Sequence, residues 1–374
     1  MSNISTHSQR LEHWVGAEKL AELSRNFSDW YGPPVAVGGV PGRVFVTRGG
    51  DFIGEYRGSA QLSPVEYAER LVKRIERQRF ARKFWRQRGS FSSLSALITA
   101  KTAGKSVTLL FNKTGTAPTA IAGAMDMWTN TGAPAAGAAG AAAPTGTSPT
   151  NSTTGNLGYV NAVVNANTGH FVNAQVQASV VNNSLLLYDR LFSVAKTMAS
   201  TSTEAVTGTF SRYQNTTSGA LDSIAGNFVF PSIPTTVLPA TAHNWTVCQY
   251  TNQGGTSAQS IPSLAGISSC AIHQIDLLLG NWFMPLASGD TGVKALSQMQ
   301  CSASVATGTV DFVVGHPIVV MPCLIANMIM NIDGVASAFN LQQIYDNACL
   351  AFIELPKAAA SACTYSGIVL TVSE

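Results

Sequence analysis

From residue 91 to residue 374, short runs of apolar and β-branched residues are separated by turns rich in Gly, Pro, Asn and Thr. Such closely spaced runs are typical of β-sandwiches and barrels. One run alternates, which predicts that Val310, Phe312 and Val314 face inward and Asp311 outward. The pattern predicts a mainly β fold in which residues 91–374 form a jelly-roll-like β-sandwich body. The predicted strands are 106–111, 158–164, 171–176, 184–192, 227–230, 245–251, 272–279, 309–314, 318–321, 349–354 and 367–372.

The first 90 residues follow a different pattern and are predicted to form a separate N-terminal α/β segment. Residues 44–46 read as a strand. Ser63 is suited to cap a helix, Pro64 to occupy its first position and Glu66 to complete a capping box. Apolar residues then recur at helical spacing, which predicts one long helix over about 63–88. A shorter amphipathic helix is predicted within 8–30.

Inside the body, residues 132–150 form a low-complexity stretch of Ala, Gly, Pro and Thr. Two interpretations are open for this loop. It is either an extended arm that reaches a neighbouring subunit or a flexible loop within the chain.

Charge is divided unequally between the two parts. The 374 residues include 23 Lys+Arg and 20 Asp+Glu, of which residues 1–90 contain 15 and 9, leaving 8 and 11 for the body. Surface charge keeps a monomer soluble, so a body with so little charge predicts a surface that is covered by neighbouring subunits. No run of 18 apolar residues and no secretion signal occurs in the sequence, so a membrane or secreted protein is not expected.

The predicted helix over 63–88 concentrates basic residues among aromatic ones. Its cations predict either contact with the phosphates of packaged DNA or a docking face that pairs with acids of neighbouring proteins. The candidate residues for docking or nucleic-acid contact are Arg70, Lys73, Arg74, Arg77, Arg82, Lys83 and Arg86.

Little in the body predicts catalysis. Glycosidase chemistry requires two carboxylates about 5–10 Å apart, but the few acids have structural interpretations, such as a local ion pair between Asp189 and Arg190 and a turn at Asp290. His316 is predicted to lie in a turn between strands, and no nucleophile elbow is present. We therefore expect no enzyme, and we predict no catalytic, cofactor-binding or metal residues.

All six cysteines lie in the last 130 residues, without the spacing of a metal site: Cys248, Cys270, Cys301, Cys323, Cys349 and Cys363. Because the sequence has no secretion signal, they are predicted as small apolar residues on buried strand faces. The alternative is a set of disulfides.

Four stretches of the body carry a resemblance: LLLYDRL at 185–191, YTNQ at 250–253 followed by GTS at 255–257, PLASGDTGV at 285–293, and DNACL at 346–350. In order and spacing they resemble a family of virion structural proteins of tailed bacteriophages, over about 91–355. The resemblance implies a virion component and transfers no catalytic residue. The polar triplet Tyr188-Asp189-Arg190 inside an apolar strand is predicted to be a buried or interfacial cluster that fixes strand register.

These observations together predict a phage virion structural protein, made in the bacterial cytoplasm, that acts by self-assembly and docking. A major, minor or decorating capsid subunit is favoured. Its expected partners are copies of itself, other virion proteins and packaged DNA, with no membrane. One alternative is a tail, fibre or receptor-binding protein that contacts host glycans. Others are a capsid protein of the tailed-phage shell fold with helix 63–88 as its spine, and a depolymerase, for which the sequence offers no acid pair.

Overall fold

The structure is a computed structural model. It describes the backbone of five short strands between residues 30 and 56. It also describes residues 94–373, apart from 119–122, 163–168, 182, 218–219, 221, 279–280, 336–340 and 358–361. The chain divides into two compact units, Met1–Arg86 and Gln87–Glu374. The described residues form 22 strands and one helix, α1 (Leu94–Thr102), which confirms the mainly β fold class. The predicted helices within 8–30 and over 63–88 lie outside the described residues, except that Trp30 belongs to a strand.

The first unit contains a small antiparallel sheet and a hairpin. Its strands are β1 (Trp30–Tyr31), β2 (Ala36–Val37), β3 (Val40–Pro41), β4 (Arg43–Thr47) and β5 (Phe52–Tyr56). The sheet has the order β1-β4-β5, and β2 pairs with β3. Strand β4 contains the predicted strand residues 44–46, so that prediction is confirmed.

The second unit, which we call the body, contains three sheets. Its strands are β6 (Ser106–Thr114), β7 (Gly123–Asp126), β8 (Gly132–Ala133), β9 (Ala141–Ala142), β10 (Gly169–Ala178), β11 (Asn183–Thr197), β12 (Glu204–Ala205), β13 (Phe228–Ser232), β14 (Asn244–Asn252), β15 (Gln259–Ser260), β16 (Leu264–Ala265), β17 (Val293–Cys301), β18 (Thr309–Cys323), β19 (Met330–Asp333), β20 (Gln343–Ile344), β21 (Leu350–Lys357) and β22 (Thr364–Ser373).

The first sheet has the order β19-β10-β22-β6-β8, with β20 also paired to β10. The central sheet has the order β13-β18-β11-β21-β7, and the third sheet has the order β12-β17-β14-β15. Strand β16 pairs with β14, and β9 runs parallel to β11; the other described strand pairs are antiparallel. The jelly-roll connectivity stays a prediction.

Two hydrophobic cores hold these sheets together, one on each face of the central sheet. Leu185 and Leu187 of β11 pack with Phe111 of the first sheet. The intervening Leu186 packs in the other core, which contains Trp245 of the third sheet. Successive side chains of a strand point to opposite faces, so β11 lies between two buried layers. The body therefore has three β layers, where the sequence analysis expected the two of a sandwich.

The structure corrects four local predictions. Residues 309–314 and 318–321 belong to one strand, β18, which continues through His316 and pairs with β11 across two bulges. Asp311, predicted to face outward, is buried, because the opposite face of its strand is covered as well. The predicted strand at 158–164 is irregular where described, and residues 272–278 contribute only isolated bridges at Gln274 and Ile275.

The Ala/Gly/Pro-rich loop at 132–150 lies on its own body. Strand β8 pairs with β6, and β9 pairs with β11. The backbone N–H of Gly137 donates to the carbonyl of Trp128 at 2.9 Å, and Thr147 and Ser193 exchange two backbone hydrogen bonds. The loop is therefore hydrogen-bonded to both the first and the central sheets of its own body. Contact of this loop with a neighbouring subunit stays a prediction.

The three-layer arrangement predicts that adjacent residues of β11 are equally sensitive to truncation. We expect Leu186→Ala and Leu187→Ala each to lower the free energy of unfolding by about 2–5 kcal/mol, because each leaves a cavity in a different core. Val237→Ala is the control, since that valine is 48% exposed. Denaturant unfolding of the full chain measures all three. A cost below about 1 kcal/mol for either core variant would contradict the three-layer arrangement.

Candidate functional site

The basic residues predicted to dock the chain or to contact DNA lie outside the described residues, so their role stays a prediction: Arg70, Lys73, Arg74, Arg77, Arg82, Lys83 and Arg86. In the part of the chain that the structure describes, charged side chains are concentrated inside the body. Two ionic clusters stand out, and both are built on the triplet at residues 188–190 of strand β11.

The first, which we call the Arg190 cluster, joins strands β11, β7 and β18. Nη1 of Arg190 donates to Oδ2 of Asp126 at 3.0 Å and to the Tyr188 hydroxyl at 3.1 Å. The Tyr188 hydroxyl donates to Oδ1 of Asp126 at 3.3 Å. Nη2 of Arg190 lies 3.7 Å from Oδ2 of Asp311, and all four side chains are buried.

Residues outside these strands complete the Arg190 cluster. Cζ of Arg190 lies 4.9 Å from the centre of the Trp128 ring, a cation–π contact. The backbone N–H of Gly140 donates to Oδ2 of Asp311 at 2.7 Å. Burial raises the pKa of Asp311, and the positive charge of Arg190 opposes that rise. The loop at 132–150 therefore helps to satisfy an acid of the central sheet.

Lys113 of β6 is buried in the first sheet and interacts electrostatically with Asp126 and Arg190 of this cluster. Its ammonium group donates to the carbonyls of Met127 and Trp128 at 2.7 and 3.3 Å. Burial lowers the pKa of Lys113 to about 8, against the opposing effect of Asp126. These acceptors compensate the cost of removing a cation from water, and they tie β6 to the segment that follows β7.

The second cluster is a bidentate ion pair between Asp189 and Arg212, which we call the Arg212 clamp. Nε and Nη2 of Arg212 donate to Oδ2 and Oδ1 of Asp189 at 2.8 and 2.9 Å. Nη2 also donates to the carbonyls of Pro149 and Arg190. The backbone N–H of Cys349 donates to Oδ1 of Asp189 at 2.9 Å. The predicted local ion pair is wrong, because adjacent residues of a strand point to opposite sides and take different partners.

Sequence reasoning identified the triplet as a polar cluster that fixes register but missed Arg212. This residue lies 23 positions after Asp189, in an irregular segment between β12 and β13, so no spacing rule connects the two. The available signal was indirect. A carboxylate in an apolar strand requires a buried partner, and the body contains only eight Lys and Arg residues.

The four stretches of the phage-family resemblance come together in two pairs. Asp189 of the first stretch lies opposite Leu350 of the fourth, across β11 and β21. The Tyr250 hydroxyl and the Asn252 amide of the second stretch donate to the Asp290 carboxylate of the third, at 2.6 and 2.7 Å. Asp290 lies in the turn that was predicted there. These polar residues fix strand register and strand ends.

A buried histidine–carboxylate pair lies beside Trp245, in the core that this tryptophan shares with Leu186. Nε2 of His243 lies 2.7 Å from Oδ2 of Asp276, and Nδ1 lies 3.0 Å from the carbonyl of Thr241. Both neighbours accept hydrogen bonds, so the imidazole is held in its doubly protonated form. Burial alone would lower the pKa of His243, but the hydrogen bond and charge of Asp276 outweigh it and raise the pKa.

His316 is buried in a different environment, on β18. Its ring stacks on Tyr213 with centroids 3.8 Å apart, and Nδ1 lies 2.8 Å from Oδ1 of Asn227. The Asn227 amide nitrogen donates to two carbonyls, so its oxygen accepts from His316. Burial lowers the pKa of His316 to about 3, and the ring is neutral at neutral pH.

The six cysteines are buried and free, as predicted. Burial raises the pKa of Cys248, Cys323 and Cys349 to about 12. At neutral pH these thiols are protonated, and a protonated thiol is a poor nucleophile.

Among the described residues, no three His, Cys, Asp or Glu side chains are grouped so that they could hold a metal ion. No helix in the described part of the chain is long and apolar enough to cross a membrane. The hydrogen bonds described for the two ionic clusters and the two histidine sites are made to other groups of the protein, while Nε of Arg190 and Oδ1 of Asp311 are buried without a hydrogen-bond partner among the described residues. Their observed effect is to position strands.

No family model matches the chain, and no curated protein is significantly similar to it in sequence. Two solved structures, of the infectious bursal disease virus Gt strain and of the infectious bursal disease virus VP2 subviral particle, are 9% and 8% identical to it. Each match covers 72% of this chain and 80% of the other, with TM-scores of 0.14 and 0.15. Scores this low carry no inference about fold or function.

The Arg212 clamp predicts a large effect of a single substitution. We expect Arg212→Ala to lower the free energy of unfolding by about 3–5 kcal/mol, because it leaves the Asp189 carboxylate buried without its cation. The double variant Asp189→Asn/Arg212→Ala should lose less than the two single variants combined. Lys101→Ala, at an exposed lysine, serves as control. Additive losses in denaturant unfolding would show that the two residues do not interact.

The two buried histidines predict opposite pH dependences. The folded pKa of His243 is raised, so its contribution is fully present below pH of about 6.5 and is lost as pH rises through the folded value. The folded pKa of His316 is lowered to about 3, so its cost grows as pH falls below about 6.5. The destabilisation caused by His243→Gln should therefore shrink with rising pH, and that caused by His316→Gln should grow. Unfolding curves between pH 5 and 9 test this, and parallel trends would contradict it.

Proposed function

We propose that this chain is a virion structural protein of a tailed bacteriophage and that it acts as a capsid subunit, whether major, minor or decorating. In this role it works passively, by burying surface against copies of itself and against other virion proteins. The body supplies a rigid structural unit, and the basic N-terminal segment supplies docking or contact with packaged DNA.

The observation that carries the proposal is how little charge the outside of the body has. Residues 91–374 contain 19 charged residues. Nine of them are buried: Lys113, Asp126, Asp189, Arg190, Lys196, Arg212, Asp276, Asp311 and Glu354. Among the described charged side chains of the body, only Lys101 and Asp333 are largely exposed.

This distribution favours an assembly subunit over a freely diffusing protein. Charged surfaces keep proteins apart in solution, whereas a surface of Thr, Asn, Gln and apolar residues associates readily. Such a surface is suited to interfaces between subunits, whose centres are depleted of charge. The few charges of the body instead fix the strands in place, so that the unit presented to its neighbours is stiff.

The second candidate is a tail, fibre or receptor-binding protein that contacts host glycans. It is favoured by an aromatic pair at the surface, in which Phe283 is 40% exposed and packs edge-on against Trp282 with ring centroids 4.6 Å apart. An exposed aromatic face can stack against a sugar ring. Loss of cell binding after Phe283→Ala, with particle assembly unchanged, would favour this role.

Mass spectrometry of separated heads and tails tests the proposal. We expect the chain in the head fraction, at a copy number that reflects capsid symmetry. Its presence in tails alone would favour the second candidate. Its absence from purified virions would refute both.

The role of the basic residues predicted to form a helix over 63–88 is tested by charge reversal. We expect the double variant Arg74→Glu/Arg77→Glu to reduce incorporation into particles while the body stays folded, because the docking surface loses its positive charge. Lys101→Glu, which removes an exposed cation of the body, is the matched control. Incorporation at the wild-type level would show that the helix cations are merely solvated.

A further inference from the structure

The outward face of the first sheet is a surface almost without charge. Alternate residues of β6, β22, β10 and β19 face outward, and the strand register aligns them in rows. One row contains Leu110, Ile368, Gln175 and Asn331 in neighbouring strands. The other rows contain Thr, Ser, Asn, Gln and one Leu, with Asp333 at the edge as the single charged residue. We call this surface the neutral face.

Apolar side chains are exposed on this face and beside it. Leu110, near the middle of β6, is 72% exposed, and Ile368 lies directly opposite it. The loop at 324–329 leads into β19 and is joined to the end of β10 by a hydrogen bond from the Asn327 N–H to the Ala178 carbonyl. Four side chains of this loop are between 50% and 63% exposed: Leu324, Ile325, Met328 and Ile329.

The lack of charge narrows the choice of partner. Nucleic acid and an anionic membrane surface both require cations, and the neutral face presents none. The N-terminal segment of the chain is basic, with 15 Lys+Arg against 9 Asp+Glu, and would find a single acid here. A surface that fits must itself be almost uncharged, and the neutral face of another copy meets this requirement.

The size of the face is also adequate. Four strands at about 4.8 Å spacing and about eight residues at about 3.4 Å each give an area of roughly 500 Å² before side-chain relief is counted. A stable protein–protein interface buries about 800 Å² on each partner. The exposed loop at 324–329 lies at the end of the same sheet and can supply much of the remainder.

We propose that the neutral face is a self-association surface, which packs against the neutral face of a second copy of this chain about a two-fold axis. Face-to-face sheets pack about 10 Å apart, a distance at which Leu110 and Ile368 of the two copies interdigitate. The proposal rests on the proposed function, since it names the partner and the surface of that assembly role.

Charge substitutions on the neutral face test the proposal. We expect Leu110→Lys and Gln175→Lys each to raise the dissociation constant for self-association of the full chain at least tenfold, as measured by sedimentation, because each buries an unpaired cation. Val237→Lys is the matched control, since Val237 is 48% exposed and lies outside this face. Circular dichroism and thermal unfolding verify that all the variants remain folded.

A mixing experiment identifies the opposing surface. If the two-fold axis brings Leu110 of one copy next to Leu110 of the other, Leu110→Lys and Leu110→Glu place opposite charges together when the two variants are mixed. The mixture should then regain the association that neither variant shows alone. A wild-type chain that remains monomeric, or lysine variants that associate like the control, would overturn the proposal. So would failure of the mixture to associate, or crosslinking of the face to residues 1–86 of the same chain. Detection of the chain in virions by mass spectrometry is independent of these results, so the assembly role can stand if this surface fails.

Discussion

The structure depends on the burial of the central sheet on both faces. Most residues of strands β11 and β18 are buried whichever face they lie on, so their polar groups depend on partners inside the protein. The Arg190 cluster and the Arg212 clamp pair the two charged residues of the triplet at 188–190 with opposite charges. The loop at 132–150 is held against the same sheet, because the backbone N–H groups of Gly140 and Thr147 donate to Asp311 and Ser193 of that sheet. Loop, clusters and strand register are therefore connected by shared hydrogen bonds.

Much of this fold could be predicted from local patterns. Alternation and turn residues located most of the long strands, and the polar triplet of β11 stood out inside an apolar run. The buried free cysteines were predicted from the absence of metal-site spacing and of a secretion signal. The third layer could not be predicted, because a continuous apolar run such as 184–192 shows that both faces are buried but not what covers them. Asp311 was misplaced for the same reason, since alternation assigns it to a free face that does not exist. Arg212 and Asp126 reach their partners only through the tertiary fold, and no sequence spacing marks them.

The charged residues that are buried in the body are no longer available to its surface, so the interior and the exterior have to be considered together. The body has few ionic groups, and about half of them are used inside, where they fix geometry at a considerable desolvation cost. The exterior is left with hydroxyl, amide and apolar groups. An uncharged exterior is a poor surface for a solitary protein and a good one for a subunit. The neutral face is the clearest example, because its rows of outward-facing side chains contain no charged residue except Asp333 at the edge.

The strand order of the first sheet has a consequence for how the chain is made. Strand β22, at residues 364–373, lies between β10 and β6, which precede it by about 190 and 260 residues. During synthesis, β6 and β10 leave the ribosome long before the strand that joins them, so the first sheet cannot close until residues 364–373 have been translated. Pairing over such separations is slow and leaves strand edges exposed meanwhile. The first sheet is therefore the last of the three sheets of the body to close, and the rows of side chains on its outward face are completed only when β22 is in place.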